Sequence, residues 1–278
     1  MPGSPARLVA RPARLVALDI DGTLIAPRAH YDALPDADVS AAIAELDAAG
    51  VVVVLASGRM YPGTERVANH LGLDGPLICQ QGACVHRADG SLSHRFAIDI
   101  DIANELVAFA QERGWPFAWF DSVRYLSSRP NEQVDQYGRV SGVVPEYRAD
   151  AHMVGVVPTG IDIISTLAAA NGVHRELAER YGDRVHLLDF PSVTAVHSPE
   201  ASKGNALALL AHDLGIARSD VIAIGDSVND ASMLRWAGRG IAMPHSDRYA
   251  RDAADEMLGG TGVDELAPFL REILRNVD

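Results

Sequence analysis

Leu15-Val16-Ala17-Leu18-Asp19-Ile20-Asp21-Gly22-Thr23-Leu24 decides how the rest of the chain reads. An apolar run ends in two carboxylates, and a glycine turn follows at once. Apolar runs without alternation suit strands covered on both faces, as in parallel sheets. In open α/β sheets, ligands bind outside the carboxyl ends of the strands. Two like charges about 4 Å apart repel by roughly 4 kcal/mol at an effective dielectric near 20. The pair Asp19 and Asp21 therefore needs a counter-charge, and a divalent cation is the commonest. Asp and Gly are also ordinary turn residues, so a plain turn competes with this reading. The clusters further along the chain decide between the two.

With 278 residues the chain has room for one large domain or two modest ones. No apolar run approaches the roughly 18 residues a membrane span needs. The two cysteines, Cys79 and Cys84, are too few for a disulfide framework and lack a usual zinc spacing. Reduced thiols in a cytoplasmic protein are the expectation. A net charge of −13 makes nucleic acid and anionic membranes poor partners, so an anionic substrate needs a local positive site. Lys203 is the only lysine; the other basic side chains are arginines. Residues 1–14 carry Arg7, Arg11 and Arg14 and no acid, and Ala-Arg-Leu-Val-Ala at 6–10 is echoed at 13–17. They lack the long apolar segment of a secretory signal and read as a short flexible extension.

The first part of the chain alternates strand and helix. After the opening strand come a helix over 36–49 closed by Gly50, a strand over 51–56, a helix over 61–71 and a short strand over 76–79. This β-α-β-α-β order predicts a doubly wound parallel sheet. The middle reads as α+β, with strands at 117–121, 123–127, 153–157, 184–188 and 193–197 and helices near 102–113 and within 162–181. The first pattern then returns: a helix at 203–214, a strand at 221–224, a short helix at 229–237, a strand at 240–243 and a last helix at 263–274. The fold expected is a Rossmann-like α/β core, residues 15–84 and 190–278, interrupted by an inserted α+β domain, residues 85–189.

Three further clusters fall at strand ends or helix starts of that core. Ser57-Gly58-Arg59 offers a hydroxyl and backbone N–H groups at a strand-to-helix turn, a natural phosphate cradle. Ser202-Lys203-Gly204-Asn205 places a lysine at a helix start, where the helix dipole disfavours it, and so hints at an anion beside it. Gly225-Asp226-Ser227-Val228-Asn229-Asp230 sets another acid one residue beyond a strand. Asn229 or Asp230 serves equally as a helix N-cap, but Asp226 does not fit that reading. Few carboxylates plus a substrate phosphate is the donor set of Mg²⁺.

In order and spacing these four clusters resemble the haloacid dehalogenase superfamily of phosphohydrolases. The residues that carry the likeness are Asp-x-Asp-Gly-Thr-Leu from Asp19, Ser-Gly-Arg from Ser57, Lys-Gly-x-Ala-Leu from Lys203, and Gly-Asp-x-x-Asn-Asp-x-x-Met-Leu from Gly225. Only 36 residues separate Asp21 from Ser57, but 146 separate Ser57 from Lys203, so the insertion lies between the latter two. That arrangement resembles the Cof-type branch, whose cap covers the active site. Two positions depart from the branch: Gln81-Gly82-Ala83 stands where it usually has Asn-Gly-Ala, and Pro244-His245 where it has small or amide residues.

The resemblance implies an enzyme, a Mg²⁺-dependent phosphatase of small phosphomonoesters such as sugar phosphates. It implies that Asp19 is the nucleophile, forming an aspartyl-phosphate, and that Asp21 is the general acid and base. Mg²⁺ would be held by the Asp19 side chain, the Asp21 backbone carbonyl and Asp226. Ser57, Lys203 and backbone N–H groups around Gly22 and Gly58 would bind phosphoryl oxygens. Asn229 and Asp230 would support the metal and the lysine, and Arg59 would touch substrate or cap. A phosphomutase using the same aspartate and a non-catalytic phosphometabolite-binding regulator are the alternatives. His197 and His245 are expected to be non-catalytic. Tyr125, Trp119 and Arg124 are candidates for the cap face toward substrate. Oligomeric state has no signature in this sequence.

Overall fold

The computed structural model describes residues 13–275. The expected extension lies outside the described residues except for its last two. Ala13 is buried, and the Arg14 backbone already pairs with Asp220 and Val52, so the fold begins slightly earlier than expected. Along the chain run β1 (Leu15–Leu18), α1 (Ala37–Ala48), β2 (Val52–Ala56), α2 (Tyr61–Leu71), β3 (Leu77–Cys79), β4 (Cys84–His86), β5 (Leu92–Arg95), α3 (Ile100–Glu112), β6 (Phe117–Phe120), β7 (Tyr125–Ser127), α4 (Glu132–Ser141) and β8 (Glu146–Tyr147). Then follow β9 (Gly160–Ile164), α5 (Ala170–Tyr181), β10 (His186–Phe190), β11 (Val193–His197), α6 (Lys203–Asp213), β12 (Val221–Gly225), α7 (Ala231–Trp236), β13 (Arg239–Ala242), α8 (Arg248–Ala253), β14 (Glu256–Met257) and α9 (Leu266–Leu274).

The first sheet has the order β14-β13-β12-β1-β2-β3-β4-β5. It is parallel from β14 through β3, and β4 and β5 run antiparallel at its edge. β1 lies between β2 and β12, and all four of its residues are buried. Its side chains alternate between two layers. Val16 and Leu18 pack with α1, α2 and α9, while Leu15 and Ala17 pack with α6, α7 and α8. Helices on both faces explain why these strands read as unbroken apolar runs.

The second sheet has the order β10-β11-β9-β6-β7-β8 and is antiparallel except for β7 beside β8. One of its faces, with Phe117, Trp119, Ile161 and Ile163, packs on α3 and α5. The other face carries Ala118, Phe120, Tyr125 and Ile164 toward Met60 of the first layer and Val134 of α4.

Several expectations need correction. Residues 85–95 were expected in the insertion, yet they belong to β4 and β5, which pair onto β3 and extend the first sheet. Residues 190–197 were expected in the core, yet they pair within the second sheet. The strand expected over 153–157 is a short 3-10 turn at Ala151–Met153 followed by irregular chain, and the strand lies instead at Gly160–Ile164. An apolar run beside a proline and a glycine fixes neither its length nor its register locally. α4 was not anticipated, because its sequence is mostly polar and its helicity depends on packing against α2.

Gly82 holds the junction between the β3 turn and α6. Its φ is +93°, and a Cβ there would lie 2.2 Å from the Ser202 carbonyl oxygen. Gly82→Ala should therefore destabilise the fold by about 1–3 kcal/mol. The measurement is the urea midpoint with the m-value unchanged; a wild-type midpoint would show that this close approach does not hold in solution.

Candidate active site

Asp19 leaves the end of β1, and its carboxylate is almost wholly buried. Lys203 Nζ donates to Asp19 Oδ1 at 2.5 Å and to Asp230 Oδ1 at 2.6 Å. The lysine side chain has no exposed surface. It stands at the first position of α6, capped by Ser202, whose hydroxyl accepts from Asn205 N at 3.1 Å. The anion that its position implied is thus supplied by the protein itself, as two carboxylates.

Asp230 does not act as a helix N-cap, for its side chain makes no capping bond to α7. Its Oδ2 accepts instead from the backbone N–H groups of Asp226 and Ser227, at 2.9 and 3.0 Å. That ties the loop after β12 to Lys203. Gly22 has φ +101°, and a Cβ there would lie 2.3 Å from Asp226 Oδ2, so only glycine admits Asp226 beside Asp19. Oxygens of Asp19, Asp226 and Asp230 then lie within 4.8 Å of one another.

Three carboxylates surround one ammonium. Burial pushes the Asp19 carboxyl up, the Asp230 charge adds to this, and Lys203 offsets only part of it, leaving it at about 7. Burial and then the neighbouring Asp19 and Asp230 charges push Asp226 up to about 9. For Lys203 burial works against the charge, but Asp19 and Asp230 outweigh it and hold the ammonium protonated. An isolated ion pair would lower the acid as it raises the base. Here the acid rises as well, because the lysine is shared and the acids outnumber it. Asp226 Oδ1 is buried without a hydrogen-bond partner. An oxygen-only donor set, an unpartnered carboxylate oxygen and surplus negative charge fit a hard divalent cation.

The second carboxylate of the opening pair stands apart. Arg59 Nε and Nη2 hold Asp21 Oδ2 and Oδ1 at 2.8 and 2.5 Å, a two-pronged pair. The Arg59 side chain is 3% exposed and that of Asp21 54%. Asp21 and Arg59, with Asp19, border a cavity of about 350 Å³. Gly58 and Asn229 also border it. Ser57 is fully buried behind Gly58 and does not border the cavity; its Oγ accepts from Arg59 N at 3.1 Å. Asn229 Nδ2 donates to Gln81 Oε1 at 2.8 Å, so it supports the turn after β3 rather than Lys203.

A profile of haloacid dehalogenase-like hydrolases matches residues 16–267. The chain belongs to this family. A phosphoglycolate phosphatase of Halorubrum lacusprofundi is 28% identical over 263 residues, which cover 93% of this chain and 96% of that protein. A haloacid dehalogenase-like hydrolase from Bacteroides thetaiotaomicron superposes with a TM-score of 0.81 at 22% identity, covering 94% of this chain and 99% of that one. A subclass IIB sugar phosphatase of the superfamily superposes with a TM-score of 0.79 at 20% identity, covering 93% and 98%. This chain is an enzyme, a phosphatase of the haloacid dehalogenase type.

The hydrolase closes its cavity with the second sheet and α4. Tyr125, proposed from sequence for this face, borders the cavity. Trp119 does not: it lies on the opposite face of the sheet and donates to Val156 O at 2.9 Å. Arg124 does not either, since both prongs of its guanidinium are held by Glu146 at the surface. His197 borders the cavity with its Nδ1 at 2.9 Å from Thr159 O, and burial pushes its pKa down to about 4, so it is neutral. His245 Nε2 donates to Gly22 O at 2.7 Å and buttresses the glycine turn. Sequence reading missed Phe120, Gln133, Tyr137 and Asp162 as cavity residues. The alternation Ile161-Asp162-Ile163 was the available signal for Asp162, but that segment had been assigned to a helix.

The raised acids set a pH dependence with a definite sign. Asp19 and Asp226 bind protons more tightly folded than unfolded, so without a divalent cation stability falls as pH rises from about 4 to about 9. Thermal melts in EDTA should show Tm decreasing across that span, and Asp226→Asn should flatten the slope and raise Tm at its alkaline end. A flat or rising wild-type profile would refute the stranded charge.

Proposed function

We propose that this phosphatase hydrolyses small phosphomonoesters, sugar phosphates or similar metabolites, through an aspartyl-phosphate on Asp19. The observation that carries the reading is the division of labour within the opening pair. Asp19 is buried against Lys203 while Asp21 is open to the same cavity. The printed activities of the Halorubrum relative and of the sugar phosphatase with the similar fold support it. We take the second sheet with α3, α4 and α5 as the cap.

In this reading an Asp19 carboxylate oxygen attacks phosphorus. The bond to Asp19 forms as the bond to the leaving oxygen breaks, and Asp21 gives that oxygen its proton. Water then attacks the phosphorus, Asp21 takes the water's proton, and phosphate leaves Asp19 free. Asp21 must loosen one bond to Arg59 to carry a proton, and its exposed side chain has the room. The lysine ammonium, the Ser57 hydroxyl and the N–H groups around Gly22 and Gly58 hold phosphoryl oxygens. The Asp19 side chain, the Asp21 carbonyl and Asp226 would hold Mg²⁺, with Asp230 aiding through Lys203 and the loop that it ties. When bound, the ion supplies charge neutralisation for the transferred group. Cys79 and Cys84 face one another across β3 and β4 as buried thiols, which suits a cytoplasmic setting.

The test is phosphate release from a panel of phosphorylated metabolites with Mg²⁺. Asp19→Asn should lower kcat by about a thousandfold or more with the melting curve retained. EDTA should stop turnover, and added Mg²⁺ should restore it. Wild-type rates in Asp19→Asn overturn the nucleophile assignment; full activity in EDTA removes the metal. Phosphorus NMR separates hydrolysis, which yields inorganic phosphate, from isomer formation by a mutase.

A further inference from the structure

The second sheet brings to the cavity a carboxyl group that the reaction above does not use. Asp162 sits in the middle of β9, in register with Ala118 of β6 on one side and Ala195 of β11 on the other. Side chains in register project from the same face of a sheet. Alanine on both sides therefore leaves the flanks of the carboxylate hollow. Beyond them stand aromatic rings. Tyr125 packs edge-on against Phe120 and Tyr137, with ring centroids 5.6 and 5.0 Å apart. Ile164 and Val193 complete the apolar surround.

Among the described residues no donor hydrogen-bonds to Asp162 and no cation pairs with it. The charged groups around the cavity give it no partner. Arg59 is committed to Asp21, Asp19 is another acid, His197 is neutral, and Tyr125 and Tyr137 are held protonated by burial. Burial alone pushes the Asp162 carboxyl up to about 7. A charge among apolar walls is costly unless something pairs with it, and an unpartnered one is a functional candidate.

We propose that Asp162 receives a protonated amine on the leaving group of the substrate, so that this enzyme prefers amino-bearing phosphomonoesters over their uncharged counterparts. The inference rests on the phosphatase reading above and sharpens its substrate class. An ammonium group meets two attractions at this point, the carboxylate and the faces or edges of the surrounding rings. A polyol would need several polar partners spread along the wall, and the wall around Asp162 offers mostly carbon. The role is specificity: Asp162 touches the group that leaves, while Asp19 and Asp21 handle the phosphoryl.

Two matched substrate pairs test it: 4-(2-aminoethyl)phenyl phosphate against 4-ethylphenyl phosphate, and glucosamine 6-phosphate against glucose 6-phosphate. Wild-type kcat/KM should favour the amine in at least one pair by about tenfold or more. Asp162→Asn should bring that ratio close to one without lowering Tm, because it removes a charge that the fold leaves unpaired. Equal or inverted preference in both wild-type pairs overturns the proposal, as does a preference that survives Asp162→Asn. Failure of wild type to hydrolyse any of the four would count against the small-phosphomonoester reading instead, and the amine site is then judged by binding alone. Calorimetry with tyramine against 4-ethylphenol reads the carboxylate without turnover. Tighter binding of tyramine to wild type, lost in Asp162→Asn, supports the amine site; equal binding of the two compounds refutes it.

Discussion

The ammonium of Lys203, buried and shared between Asp19 and Asp230, is the contact on which the arrangement of the site depends. It joins the end of β1, the start of α6 and the loop after β12, three segments far apart in sequence. A buried charge is tolerated only when paired and hydrogen-bonded, so each partner fixes the position of the others. Through Asp230 the constraint passes to the backbone of Asp226 and Ser227. Through Gly22 it passes to the close approach of Asp226 and Asp19. The pair therefore fixes geometry at least as much as it contributes stability.

That geometry leaves the site over-supplied with negative charge. One lysine cannot compensate three carboxylates, and the proton affinities of Asp19 and Asp226 rise accordingly. A divalent cation and an anionic phosphoryl group fit together into such a site. In the proposed function a cation would answer the surplus acids, and the lysine and backbone N–H groups would hold the phosphoryl oxygens. Arg59 plays a separate part. It holds Asp21 at the cavity, which gives two acids separated by one residue different surroundings.

The cavity is assembled from parts whose roles are not local. Met60 N donates to Ser141 Oγ, and Tyr137 donates from α4 to Gly58 O, so the second layer is stitched to the turn after β2. Gln80, with φ +50°, donates to Asp121 O and accepts from Thr159, bridging the turn after β3 to β6 and β9. A residue held in the left-handed region by contacts on both sides is stable only while both layers stay docked. Such bridges set which face of the second sheet looks toward Asp19.

By itself the sequence determined the α/β core, the order of its strands and helices, and the four clusters at their ends. These features rest on short-range patterns: unbroken apolar runs, glycine turns, and acids directly beyond strands. It also singled out Lys203 by its awkward place at a helix start. It did not determine that the lysine's counter-ions are Asp19 and Asp230, or that Arg59 holds Asp21. It placed the edge of the inserted layer wrongly, because β4 and β5 are short and partly polar and acquire their identity only by pairing onto β3. It missed α4 and misread β9, and with them Tyr137 and Asp162. Which side chains of a two-faced sheet point into a cavity depends on register, and register is fixed by pairing with distant strands and by the helices on the other face. The chemistry at the phosphoryl group was legible as motif, whereas the surroundings of the leaving group were decided only by tertiary packing.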